Sequence, residues 1–560
     1  MMKHNPARGL ALALACGLSH GQSGESLLLA RDGGPLDTFG FGLAVDGDTI
    51  VVGSKADDDG GVDSGAVYVF ERSRGAWTQT AKLVASDAFY HEMLGFALSI
   101  EGDTLAAGAP YDSDNGSFSG SVYVFARDRA GWVEQQKLKP LDGSTADRFG
   151  LSLAVSGGSL VAGAPFSQDA GHNSGSIYVF QRVGPTWTEW QKLIPPDLAP
   201  GDEFGYAVAK HGERLVAGSH RQDDRGSAAG KAYVYESDGL QWNLAQELFH
   251  PGAHALDHFG RAVAIGSHTL VVGAPGDDGE GSAAGAALVF ERDDVKFAPT
   301  QRLVASRPEA GAQFGLSLAL SGGRLVVGAP YEDARGPDAG AAYVFERIGT
   351  GWVQTARLVP GTAAEHDYGG WAVAVSGDAV LTGAWGDDDL GQRCGSVTAF
   401  DASLPFVAFC AGDGSGRPCP CANESLPGLA EGCRNSTGGG GRLVAGGSAG
   451  IVADDMRPTA LGLPAGSFGI LFAGRDAVAG GDGLPLGAGL RCAGGTALRL
   501  GFRLENGSGA MGWGPGLGAE GDWGPGDVRR FQVLYRDVLP GAPCRSGVNL
   551  TNGIEVVFRP

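Results

Sequence analysis

"DTFGFGLAVDGDTIVVGSKADDDGGVDSGAVYVF", residues 37–70, strings together two alternating apolar runs, a Gly-Asp turn and a knot of aspartates, then a third apolar run. Its parts return at a fixed distance. The glycine closing "FG" is Gly40, Gly95, Gly150, Gly205, Gly260, Gly315 and Gly370, a step of 55 residues with nothing inserted or deleted. The glycine of "VVGS" or "VAGAP" keeps the same step at Gly53, Gly108, Gly163, Gly218, Gly273, Gly328 and Gly383. An aromatic follows at Trp77, Trp132, Trp187, Trp242, Phe297 and Trp352. Copies in phase over this length mark an array whose units bury their cores against one another.

Each copy carries four short runs, which in the second read "FALSI", "TLAAGAP", "GSVYVF" and "WVEQQKL". Alternation, β-branched residues and aromatics make them strands, and "EGDT" between the first two is a hairpin turn. Four antiparallel strands per unit is a propeller blade, and seven blades close a ring without long free edges. The expected fold is therefore all-β, a seven-bladed β-propeller over residues 25–401. The seventh copy stops after "GSVTAF", lacking the aromatic and the fourth strand. Leu28 of "ESLLLARDGG" stands 12 residues before Gly40, as Leu83 stands before Gly95. The N-terminal strand is thus expected to complete blade seven and close the ring.

Net charge is −21 over 560 residues, which excludes partners that need clustered Lys and Arg, nucleic acid and anionic membrane surfaces among them. Residues 1–22 read as a secretory signal: Lys3 and Arg8 precede the apolar stretch Leu10 to Ala15, with cleavage expected near residues 15–22. A lipid anchor at Cys16 is the alternative, against which Ala13 stands where such signals carry leucine. No stretch offers the ~18 apolar residues of a spanning helix. Beyond the repeats, residues 402–440 read as a cysteine-rich linker and 441–560 as a small β-sandwich with strands such as "FGILFAG" and "RFQVLYRD". Cys410, Cys419, Cys421, Cys433, Cys492 and Cys544 make up to three disulfides, with the pairing open and Cys394 left over. Cys419-Pro420-Cys421 does not have zinc-site spacing.

"DRFGLSLAVSGGSLVAGAP", "DEFGYAVAK" and "SGSIYVF" resemble FG-GAP repeats, the blades of integrin α-subunit propellers and of many secreted bacterial proteins. The resemblance implies the propeller and a ligand-meeting face. It does not bring the family's calcium loop, because only short turns such as Asp46-Gly47-Asp48 or Ser156-Gly157-Gly158 stand where D-x-D-x-D-G would be. "CPCANE", "GCRNSTG" and "NLTNGIEVVF" resemble a C-terminal module of secreted planctomycete-type proteins, which implies no activity.

Between the second and third strands each copy places acids: Asp57, Asp58, Asp59; Asp112, Asp114; Asp169; Asp223, Asp224; Asp277, Asp278; Glu332, Asp333; and Asp387, Asp388, Asp389. These loops and those joining strand four to the next strand one emerge on one face, so that face is expected to be elaborated and ringed by carboxylates. Calcium, which takes six to eight oxygens, is the cation they would hold; the plainer reading makes them turn formers. His250, His254 and His258 are read as surface histidines, with transition-metal ligation as the alternative. The tyrosines of strand three, Tyr68, Tyr123, Tyr178, Tyr233 and Tyr343, are expected to pack between blades. Gly446 to Gly450 matches G-x-S-x-G, but no histidine follows His366 to serve as base. The functional expectation is a secreted or surface non-enzymatic binding protein, meeting an extracellular protein or glycan with calcium assistance. A propeller-based polysaccharide lyase or hydrolase, needing a blade-specific acid, base and arginine, is the enzymatic alternative, and a structural envelope protein the third.

Overall fold

The computed structural model describes residues 25–401 except 74, 294, 349 and 350, and a discontinuous set between 406 and 557. Blade one is typical: Phe39–Asp46, Thr49–Ser54, Ala66–Ser73 and Ala76–Leu83 form a four-stranded antiparallel sheet in sequence order. Six such sheets follow the chain, and the seventh takes its outer strand, Glu25–Leu28, from the N-terminus. There Leu28 lies opposite Val397 and Glu25 opposite Phe400. The seven-bladed propeller and its closure stand as the repeat implies.

Period-two alternation makes the blades stack. Val51, Val67 and Val69 face blade two and pack with Leu105, Ala107 and Tyr123, while Ile50, Val52 and Tyr68 face the other way toward Leu381 and Val397 of blade seven. The tyrosines of strand three lie wholly inside these junctions. Strand three carries a bulge between Val69 and Phe70, and the same step recurs at Val124/Phe125, Val179/Phe180, Val234/Tyr235, Val289/Phe290 and Val344/Phe345. Bulges strengthen the twist that lets wedge-shaped blades surround an axis.

The two recurrent glycines explain each other. A Cβ on Gly53 would stand 1.9 Å from the carbonyl oxygen of Gly95 in the next blade, and at the closing junction Gly383 meets Gly40 at 2.2 Å. The first strands form the inner ring in contact with one another. The two-residue turns lie on one face; the loops of residues 55–65 and 84–97 and their counterparts lie on the other.

Past the propeller, Phe468–Gly474, Val528–Arg536, Leu498–Leu504 and Gly553–Val557 belong to one sheet, and Arg442–Gly446, Arg457–Leu461 and Met511–Gly512 to a second. Leu471, Trp513, Phe531 and Tyr535 are buried in their common core. Phe406–Phe409, read above as linker, is an edge strand of the first sheet. Cys419 and Cys433 form a disulfide. Cys394 is free and buried. The signal segment with Cys16, and Cys410, Cys421, Cys492, Cys544 and residues 447–450, lie outside the described residues. Among the described residues no helix is long and apolar enough to cross a membrane.

Candidate functional site

The acids of the long-loop face divide into two kinds. Asp57, Asp112, Asp277, Glu332 and Asp387 are buried, whereas Asp58, Asp59, Asp114, Asp169, Asp223, Asp224, Asp278, Asp333, Asp388 and Asp389 are exposed. All of the buried ones except Asp387 are tied to strand four of their own blade. Lys82 Nζ lies 2.8 Å from Asp57 and 3.1 Å from Asp32, and Tyr68 donates its hydroxyl to Asp57 at 2.7 Å. Lys137 repeats this with Asp112 at 2.6 Å and Asp87 at 2.8 Å, and Lys192 joins Asp142 and Asp169. Arg357 Nε donates to Glu332 at 2.7 Å. Blade four inverts the pair: Glu247 replaces the lysine, and the buried Lys231 on strand three holds Glu247 at 2.7 Å and also pairs with Asp197. A charge that moves strand together with its partner marks an interaction the blade depends on.

The exposed acids shape turns. Asp58 accepts the N–H of Asp63, Asp223 that of Ala228, Asp278 that of Ala283 and Asp333 that of Asp338. A cation fits poorly in blades one, two and six, where an ammonium or guanidinium already sits on the buried carboxylate. Among the described residues no three His, Cys, Asp or Glu side chains gather as a metal would require. In blade seven Leu27 stands at the lysine position, and Asp387 accepts instead from the Ser396 hydroxyl and the Asp389 N–H.

A second acidic ring, missed in the sequence, lies just before each "FG". Asp37, Glu92, Asp147, Asp202, Asp257 and Asp367 are buried, each accepting the N–H three residues earlier, as Asp367 does from Ala364 at 2.6 Å. Burial, together with the neighbouring acids, pushes Asp37 and Glu92 up to about 6 and Asp367 up to about 7.

The axial mouth was also missed. Between the acid and the "FG", Thr38, Met93, Arg148, Glu203, His258, Gln313 and Tyr368 all take left-handed backbone, with φ between 52° and 58°. Such repeated strain in non-glycine residues persists only where surrounding structure holds it. The side chains of Arg148, His258 and Tyr368 reach rings of the preceding blade: Arg148 lies over Tyr111, His258 is 5.7 Å from the His220 ring, and Tyr368 is 5.7 Å from Tyr331. Tyr368 stacks on Trp385 at 4.9 Å, Trp385 meets Trp371 at 5.7 Å, and Trp371, Phe41 and Phe96 follow in line. Lys55 lies over this run, 3.5 Å from the Phe41 centroid, and two further cations lie over rings of other blades, Arg148 4.4 Å from Phe166 and Arg261 4.3 Å from Tyr206. Burial, with Arg261 adding to it, holds His220 neutral, and its Nδ1 has no partner in the described structure. The signal available in the sequence was variability: the residues flanking "FG" change from copy to copy while the glycine stays fixed.

His250 corrects the surface reading of the histidines, for only His254 is exposed; His258 is half-buried and His250 buried. His250 Nε2 meets Asp277 at 3.0 Å, and its Nδ1 accepts the Gly252 N–H at 3.0 Å. Blade five has Leu288 in place of the tyrosine, and His250 takes over the tyrosine's hydrogen bond. Burial opposes the charge on Asp277, but His250 and Arg302 outweigh it and hold the carboxyl well below the usual range. Acid, imidazole and arginine thus meet in one blade, as an enzyme would require. Both imidazole nitrogens are engaged, so His250 has no lone pair free to take a substrate proton.

An FG-GAP repeat model matches residues 23–70, 77–125, 132–180, 187–235, 242–290, 297–345 and 352–400. A comparison with curated proteins gives no match. Among solved structures, the crystal structure of Saccharomyces cerevisiae Sqt1 covers 66% of this chain and 84% of its own, at 11% identity and a TM-score of 0.37.

Proposed function

Since the chain belongs to the FG-GAP repeat family, whose fold carries no single activity, we propose from its own site that it is an extracellular, non-enzymatic binding protein. Its ligand is a glycan bearing anionic groups, received at the axial mouth of the long-loop face. The carrying observation is the run of half-buried rings from Tyr368 through Trp385, Trp371 and Phe41 to Phe96, with Lys55 over Phe41, and with Arg148 and Arg261 over the rings Phe166 and Tyr206 of blades three and four. Flat aromatic faces stack on sugar rings, and guanidinium groups pair with carboxylate or sulfate in forked geometry. The Cys419–Cys433 disulfide supports an oxidising compartment outside the cytosol.

The test is binding of the purified protein to immobilised neutral and acidic polysaccharides, with Arg261→Ala and Trp385→Ala alongside. Preference for the acidic polymer, weakened roughly tenfold in each variant, is expected. Equal retention by all polymers, unchanged binding by folded variants, or shortening of the polymer would overturn the reading. Calcium is no part of this proposal, because lysine or arginine occupies the buried carboxylates of blades one, two, five and six; a calcium titration is expected to raise Tm no more than magnesium does.

A further inference from the structure

Blade five holds a cavity of about 670 Å³ on the long-loop side, bounded by Leu288, Pro251, Pro299, Asp277, Asp278 and Arg302. We propose that it binds small neutral phenols, a hydroxylated aromatic ring entering beside His250 in the one blade that has lost its tyrosine to the shorter Leu288.

The first argument is subtraction within one molecule. Tyr68, Tyr123, Tyr178, Tyr233 and Tyr343 fill this place with a wholly buried ring and give their hydroxyls to the acids around it. Leu288 ends short of the ring's far half. The acid that meets this hydroxyl in blades two to four, Asp87, Asp142 and Asp197, is here Gly252, which removes a second side chain. His250 covers part of the vacated place, with its ring on Asp277 and edge-on to Phe259; what remains beside it is within the range of small-molecule sites.

The walls suit a flat guest. Asp277 accepts from His250 Nε2, from Gly279 N–H at 2.8 Å, and from Arg302 through Nε at 3.2 Å and Nη2 at 2.5 Å. Its oxygens are filled, so it fixes the guanidinium along one edge and leaves that group's faces for stacking. The proline rings of Pro251 and Pro299 and the Leu288 side chain complete an apolar lining.

The rim selects the substituent. Arg302 Nη1 donates to Glu280 at 3.3 Å, and the exposed Asp278 lines the same cavity. A hydroxyl can accept from Nη1 and donate to either carboxylate. A carboxylate guest would meet two like charges, and a bare ring would offer the rim groups no hydrogen bond.

The experiment titrates the whole protein with p-cresol, which is the tyrosine side chain as a free molecule, and with toluene and 4-methylbenzoate, following binding by ligand-observed NMR and Tm. Saturable p-cresol binding is expected, with both comparison compounds weaker by roughly tenfold. Leu288→Tyr combined with His250→Ala, which together restore the Ala30 and Tyr68 arrangement of blade one, is expected to cost p-cresol about tenfold or more in affinity while keeping Tm near the parent value. Should that variant fold poorly, Leu288→Phe fills the same space. Absence of saturable p-cresol binding, equal binding of toluene or 4-methylbenzoate, or full p-cresol affinity in a folded filled variant would each overturn the proposal.

Discussion

Asp367 shows how much one side chain can report. Burial and then the acids Asp387, Asp389 and Asp388 raise its pKa to about 7, while Asp37 and Glu92 rise to about 6. A carboxyl whose folded pKa exceeds its unfolded value, near 4, costs stability once ionised, and that cost disappears as pH falls through the folded pKa. Asp277, Asp87 and Asp142 are shifted the other way, so their contribution is present above their unfolded pKa and lost as pH falls below it. Tm is therefore expected to rise from pH 7.5 toward 5.5 and to fall below about pH 4. Asp367→Asn, which keeps an acceptor for the Ala364 N–H, should raise Tm at pH 7.5 and reduce the slope between pH 7.5 and 5.5. An unchanged slope would remove Asp367 from the account. At Gly53 the issue is contact: its missing Cβ would stand 1.9 Å from Gly95 O, a backbone atom that cannot swing aside. Gly53→Ala is expected to cost roughly 3 kcal/mol in denaturant unfolding.

Between strands, the blades are joined by an amide clamp that apolar patterning does not reveal. Gln191 on strand four of blade three donates to the Trp242 carbonyl at 3.0 Å and accepts the Trp242 N–H at 2.7 Å. Gln136 with Trp187, Gln246 with Phe297, and Gln301 with Trp352 do the same. Ala81 and Ala356 stand at the matching positions in blades one and six, so those junctions lack it. Gln191→Ala leaves a half-buried N–H and carbonyl unpaired and is expected to cost about 1–3 kcal/mol, where Ala81→Ser should cost little. Equal effects at the two positions would show the clamp to be ornamental. This contrast marks what was legible in the sequence. Strands, blade number and the inward tyrosines followed from period and alternation, which depend only on hydrophobicity. The fate of the aspartates did not, because their partners Lys82, Lys137 and Lys192 stand 23 to 25 residues later on another strand and meet them only after the sheet forms. The axial rings come from five blades, a grouping that exists only once the ring has closed.

Over the whole molecule, closure is the constraint that joins these local terms. Six junctions are formed between blades continuous in sequence; the seventh joins blade seven to blade one, and its sheet is complete only because Glu25–Leu28 pairs with Ser396–Asp401. Leu28 is buried in the core that also contains Phe39, Tyr68, Leu381 and Val397, so this strand binds blade one to blade seven by apolar contact as well as by its ladder. Gly40 O against Gly383 continues the same glycine contact that joins every other pair of blades. Removing residues 25–31 would delete a buried leucine, typically a loss of about 2–5 kcal/mol in a packed core, and expose Ser396–Asp401 as a free edge. The expected outcome is a lower Tm and a concentration-dependent rise in light scattering as free edges pair between molecules. Leu28→Ala should lower Tm less and leave scattering unchanged, since it weakens the core but keeps the edge covered. A deletion that melts like the parent and stays monomeric would mean that the inner ring of first strands holds the propeller shut without its seventh outer strand.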